Sequence, residues 1–252
     1  MEIIQDLLIT NKKVYKSTIK KLKSNPELLV IGIPYIVLIA LGFMMASSIS
    51  LIGGLLLFII LSAVFSSYLY VINNIINYGK FHMDDIKIGF RVYFRKIYII
   101  LLLFYFLDYG LSLFVYPILS ILPLSYLIIP LIKFAIVLVF NPLPEMIYQQ
   151  DHSEMDTIKS TLEFSKNNIV TWFVPNIIFM GLIWVLTLLV SGVIIKLIPT
   201  IGGSVGLSIQ ILLSLILVQA VIGSVMVYRG ALFNILNTSS RRKRLFKKHM
   251  DN

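Results

Sequence analysis

The stretch LLLFYFLDYGLSLF, residues 101–114, decides how the rest of the chain is read. Almost every side chain in it is at home in hydrocarbon, yet Asp108 stands in the middle. A helix that is apolar on all sides is either the centre of a large soluble core or a membrane span. The remainder of the chain chooses between these. Of its 252 residues 58% are hydrophobic and 13% charged, and the mean hydropathy is +0.90. One soluble core of this size does not need so much apolar surface. The fold class expected is all-α, a polytopic integral membrane protein, because helices satisfy their own backbone groups in lipid.

Crossing the hydrocarbon takes about 20 residues of helix. Working outward from Asp108, six apolar runs meet that length approximately, at residues 28–45, 51–72, 97–116, 125–140, 169–195 and 201–228. The fourth is interrupted by Pro130 and closed by Asn141-Pro142-Leu143-Pro144. A kinked span and a partly re-entrant one both fit such a pattern. Pro34 and Pro175 stand near the starts of their spans, where a missing amide costs least.

Apart from Lys133 and Lys196, all 22 Lys and Arg residues fall in the N-terminal segment, the second and fourth connections and the C-terminal flank. The bias of basic residues toward the cytoplasm then places both termini inside, in a multi-pass protein of the cell membrane. The expected organisation is a single six-span domain over residues 1–236 and a basic cytoplasmic tail over 237–252. Within the domain, residues 1–27 form a cytoplasmic interfacial helix, and 77–96 and 145–168 are cytoplasmic connections. Nothing near the N-terminus resembles a cleaved signal peptide, since the first apolar run follows a charged segment, so that segment is expected to be retained. Cysteine is absent, which excludes disulfides and thiolate chemistry.

Three segments ahead of paired spans share an Ile-Lys step in an amphipathic, basic setting: STIKKLKSNPELL from Ser17, MDDIKIGFRVYFRKIYI from Met83 and MDTIKSTLEFSKNNIV from Met155. One reading is a threefold repeat of interfacial helix plus helical hairpin. The other is that basic linkers precede inward-starting spans in any such protein. Asp84, and Asp156 or Thr157, are the expected N-caps of the latter two helices.

The segment NPLPEMIYQQDHSEMDTIKSTLEFSKNNIVTWFVPN, residues 141–176, resembles an element of bacterial membrane proteins related to the membrane domain of glycerophosphodiester phosphodiesterases. The matching features are the turn with Pro142 and Pro144, the acidic loop with Glu154, then Ser160, Lys166 and Asn167. The resemblance implies a helical membrane domain and carries no established activity. A separate phosphodiesterase domain is lacking, so that catalytic function is not implied.

A search for chemistry returns little. With only His82, His152 and His249 available, no Ser-His-Asp constellation can be assembled, and no phosphate-binding glycine loop is present. No catalytic residues and no cofactor are expected. DHSEMD offers Asp151, His152, Glu154 and Asp156 as hard ligands, but charged helix-capping turns have the same composition and no metal is expected. The tail SSRRKRLFKKHM is a stronger signal: Arg241, Arg242, Lys243, Arg244, Lys247 and Lys248 form a basic patch beside the membrane. Each such charge is worth about 1 kcal/mol against an anionic leaflet, while Leu245 and Phe246 can dip into it. Anionic lipid headgroups are the expected partner, and nucleic acid is not. Trp172, Tyr98 and Tyr228 fall near span ends and read as interfacial anchors. Ser62 with Ser66, and Gly202 with Gly206, permit close helix packing within the chain or in a homo-oligomer.

Asp108 and Lys133 lie eight residues from Tyr116 and Ser125, so both sit about 12 Å from the outward ends of consecutive spans. A lone charge at the membrane centre costs about 2.5–3.5 kcal/mol on insertion scales. Pairing inside the bundle relieves it; a water-filled cavity for an ion or polar substrate is the functional alternative, and Gln210 or Gln219 are other partners. Two functions follow. One is a non-enzymatic membrane protein of envelope or lipid physiology, working with anionic lipid or a protein partner. The other is the permease subunit of an ATP-driven exporter with a separate ATPase.

Overall fold

The computed structural model describes residues 2–48, 50–197, 204–239 and 243–244, and among these there is no strand. In chain order the helices are α1 (Glu2–Lys23), α2 (Leu28–Ser48), α3 (Ser50–Tyr78), α4 (Met83–Val92) and α5 (Phe94–Gly110). A π-helical turn (Leu111–Val115) leads into α6 (Tyr116–Ser120), followed by α7 (Ser125–Val139), α8 (Leu143–Gln149), α9 (Glu154–Asn167), α10 (Ile169–Leu197) and α11 (Ser204–Thr238). Among the described residues six stretches are long and apolar enough to cross a membrane: Leu28–Ser48, Gly53–Tyr78, Phe94–Ser120, Ser125–Gln149, Ile169–Leu189 and Leu212–Thr238. The chain is an all-α protein with six such spans, as fits a multi-pass membrane protein.

Helix α7 ends where the NPLP step was expected to close the fourth span. Pro130 stays inside α7, which ends at Val139 after 15 residues, about 22 Å. Pro142 then caps α8 and Pro144 sits in its first turn, a position that needs no amide. The NPLP step thus both closes α7 and starts a second short helix. Pro34 and Pro175 likewise fall inside α2 and α10.

The expected N-caps shift by two to four residues. The Asp85 carboxylate accepts the backbone N–H of His82 at 2.7 Å, so His82 precedes α4. Ser153 caps α9: its Oγ accepts the Asp156 N–H at 3.2 Å and donates to Asp156 Oδ2 at 2.6 Å. Asp84, Asp156 and Thr157 lie inside their helices.

The chain divides into two compact units, the first made of residues 1–38, 72–81 and 168–252, the second of 39–71 and 82–167. In the first, α1 packs along α11 and α10. The core gathers Leu28, Ile72, Ile75, Trp172, Leu232 and Phe233, all fully buried. Gly79 ends α3 in the left-handed region at φ +83°, where glycine has no Cβ to clash. The carbonyls this end exposes are met by α1: Lys21 Nζ donates to Ile75 O at 2.9 Å and Ile76 O at 2.6 Å. Asn25 Nδ2 donates to Gly79 O at 2.8 Å, and its Oδ1 accepts the Phe81 N–H. A cation at a helix C-terminus also meets the favourable end of the dipole.

The second unit uses the same device. Lys96 Nζ donates to Gln150 O at 3.0 Å and lies 3.4 Å from Ile147 O, at the end of α8. Ser165 Oγ donates to Val139 O at 2.6 Å, at the end of α7. Between α3 and α4, Ser66 Oγ donates to Gly89 O at 2.5 Å and Ser67 Oγ to Ile86 O at 2.6 Å. A Cβ on Gly89 would lie 2.9 Å from Ser67 Cα, so this approach requires glycine. Ser62 and Ser66 are fully buried within the chain.

Candidate functional site

In the second unit, Lys133 Nζ lies 3.5 Å from Asp108 Oδ1, with the side chains 54% and 62% exposed. Within the second unit the pair faces outward. Lys133 Nζ also lies 5.2 Å from the centroid of the Tyr116 ring, within cation–π range. The π-helical turn explains how Tyr116 reaches it. Eight residues of α-helix would put Tyr116 about 80° around from Asp108. Letting the wider turn absorb one residue brings the two to within about 20°. Ser112 Oγ donates within this turn to Asp108 O at 2.9 Å and Tyr109 O at 2.8 Å.

The DHSEMD side chains are engaged separately. Asp156 pairs with Ser153, His152 Nδ1 lies 3.2 Å from Ser160 Oγ, and Glu154 Oε1 lies 3.5 Å from Arg95 Nε. Among the described residues, no group of three His, Asp or Glu side chains is placed to share a metal ion.

The first unit holds the richer arrangement. On α1, Asp6, Thr10, Val14 and Thr18 are buried, a stripe at four-residue spacing that faces one way on a helix. Lys12, Lys13, Lys16, Lys20 and Lys23 are exposed. Burial lowers the Lys21 pKa from its ordinary value of 10.5, since taking an ammonium out of water disfavours its charge.

Two long-range contacts fasten the stripe. Arg244 Nε donates to Asp6 Oδ1 at 2.8 Å and Nη2 to Oδ2 at 2.6 Å, a two-pronged pair with side chains 10% and 1% exposed. Thr10 Oγ1 donates to Asp6 Oδ1 at 3.2 Å. Farther along, the Tyr228 hydroxyl donates to Asn11 Oδ1. Arg244, expected on the lipid-facing patch, is therefore turned inward, while Lys243 of that patch is exposed. Arg241, Arg242, Lys247, Lys248 and Gly202 lie outside the described residues, as do the side chains of Gln210 and its near neighbours. Gln219 is buried and packs against Gly32, where a Cβ would fall 1.9 Å from its amide.

Trp172 and Tyr228 correct a second expectation. Both are buried, Trp172 edge-on to Phe233 with the Arg229 guanidinium 5.3 Å from its ring. They are core residues of the first unit rather than anchors facing the bilayer. Sequence reasoning also missed Asp6, Thr18 and Lys21; the four-residue spacing of the α1 stripe was the available signal.

Between α1, the start of α2, α10 and α11 lies a cavity of about 700 Å³. Its walls are apolar, from Leu29, Leu182, Leu186, Leu217 and Val221, with Tyr15, Thr18 and Lys23 on the α1 side. The Thr18 Oγ1 is buried and has no hydrogen-bond partner.

Comparison with known proteins finds no matching family model, no similar curated protein and no similar solved structure.

Proposed function

We propose that the chain is a non-enzymatic membrane domain, with both termini cytoplasmic, that engages anionic lipid at the inner leaflet of the cell membrane. The observation that carries this reading is the division of α1. One face is buried, with Asp6 tied to Arg244 of the tail, Asn11 to Tyr228 of α11, and Val14 closed from solvent, which leaves a row of five lysines open on the other. A row of this kind gains about 1 kcal/mol per charge from an anionic surface and loses it beyond a Debye length.

The test is thermal unfolding of the detergent-solubilised protein with added phosphatidylglycerol or phosphatidylcholine. Phosphatidylglycerol should protect more, the margin should shrink in high salt, and replacing Lys12, Lys13, Lys16 and Lys20 by Gln should remove most of it. Equal protection by the two lipids would sink the proposal. A second reading, a permease subunit coupled to a separate ATPase, draws on the exposed Lys87, Ile88, Arg91 and Val92 of α4. It requires that an ATPase copurify with the chain and that its turnover depend on that face.

A further inference from the structure

We infer that the cavity of the first unit is a phospholipid site: one acyl chain fills it, and an anionic headgroup sits at Lys23 on its α1 side. The inference rests on the lipid reading above and deepens it, from a charged surface to a defined pocket.

The dimensions fit. The volume of about 700 Å³ lies in the range of roughly 300–1,000 Å³ typical of small-molecule pockets. Along α11 the wall runs from Tyr228 to Leu217, about 16 Å at 1.5 Å per residue. That is close to half of the ~30 Å hydrocarbon thickness, the depth occupied by the chains of one leaflet.

The chemistry is graded along the same direction. Toward Leu217, Leu186 and Leu182 the wall carries aliphatic side chains, which suit a hydrocarbon tail. On the α1 side stand Lys23, Tyr15 and Thr18. Lys23 is exposed and supplies the charge that complements a phosphate. Thr18 supplies the second observation: its hydroxyl oxygen, buried and, among the described residues, unpartnered, is a polar group that is costly to leave unsatisfied. A glycerol ester carbonyl would accept from it. Water satisfies such a group only where several polar partners surround it, and these walls are almost wholly apolar.

The experiment uses the full chain, purified in mild detergent, and counts retained phospholipid by native mass spectrometry. The native chain should hold one phospholipid, anionic in preference to zwitterionic. Val221→Phe and Val225→Phe, which fill the cavity, should lower retention about tenfold or more. They should leave the salt-sensitive protection by phosphatidylglycerol, a surface effect, in place. Leu213→Phe, on an exposed part of α11, should change neither, and Lys23→Gln should abolish the preference for anionic lipid. Filled variants that retain lipid like the native chain would overturn the pocket and leave the surface reading standing. A retained lipid chosen without regard to charge would overturn the headgroup assignment and leave the surface reading to its own salt-dependence test. Should the filled variants fail to fold, the native chain decides: phosphatidylglycerol with a photoreactive acyl chain should label α10 around Leu182 and Leu186 and α11 around Leu217 and Val221. Labelling confined to other spans would refute the inference.

Discussion

Asp6–Arg244 joins residues 238 positions apart and closes them almost completely from solvent, whereas Asp108–Lys133 joins consecutive spans and leaves over half of each side chain open. The first has two short, charge-assisted hydrogen bonds and a third contact from Thr10. The second has one contact at 3.5 Å. A buried pair is worth little more than its desolvation cost when intact, but it becomes very expensive when one partner is removed. The second pair faces outward from two spans, where interhelical polar contacts are worth about 0.6 kcal/mol on average. The conspicuous aspartate, stranded in an apolar run, is thus held by the longer and sparser contact, and the inconspicuous one near the N-terminus by the shorter and denser set.

The largest expected effect breaks the first pair. Arg244→Ala leaves the Asp6 carboxylate buried without its guanidinium and should destabilise the protein by about 3–5 kcal/mol, read by unfolding in detergent. Asp6→Leu with Arg244→Met should recover most of that loss, because two apolar side chains need no mutual compensation. A double variant as unstable as the single one would mean that the tail is held by something other than this pair.

Next comes Lys21, whose ammonium donates to two carbonyls at the end of α3. Lys21→Met should cost about 1.5–3 kcal/mol, the usual range for hydrogen bonds to a charged group. The same substitution has a pH signature. Burial lowers the Lys21 pKa below 10.5 in the folded chain, so the unfolded chain keeps this proton to higher pH. Its contribution makes stability rise as pH climbs through the folded pKa, and the rise ends above 10.5. Titrating unfolding from neutral to alkaline pH should show a shallower rise, or a steeper fall, in Lys21→Met than in the native chain.

Gly32 sharpens the comparison in the apolar part of the first unit. A Cβ there would fall on the Gln219 amide, so Gly32→Val should cost about 1–3 kcal/mol through overpacking. Gln219→Ala should relieve most of it, since the valine then enters the space the amide leaves.

The six spans were legible because hydropathy averages over some twenty residues, and no single side chain can mislead it. The matched depths of Asp108 and Lys133 were legible too, since consecutive spans share an outward end from which both can be counted. Asp6–Arg244 was not: no local rule links an N-terminal aspartate to an arginine 238 residues away. Arg244 also sits among basic residues whose surroundings suggest a lipid surface. Trp172 was misread for a related reason, because an aromatic at a span end has the same local context whether it faces headgroups or a neighbouring helix. The caps of α4 and α9 were displaced because acidic side chains are favoured throughout a first turn, and composition alone does not mark which residue starts it.

The smallest effect concerns Asp108 and Lys133, and it separates their roles. A double-mutant cycle with Asp108→Ala and Lys133→Ala should give a coupling of about 0.6–1.7 kcal/mol, the span of measured interhelical polar contacts in membranes. The single variants should nevertheless differ. Lys133 left alone keeps the Tyr116 ring and a long stem that can carry its charge toward the interface. Asp108 left alone has a short side chain and no such route, so its carboxylate bears the cost of an unpaired charge in the span. Accumulation in membranes should therefore fall more for Lys133→Ala than for Asp108→Ala. Equal losses would mean that Asp108 has a further partner in the membrane, and that the pair belongs to an interface instead of to the chain alone.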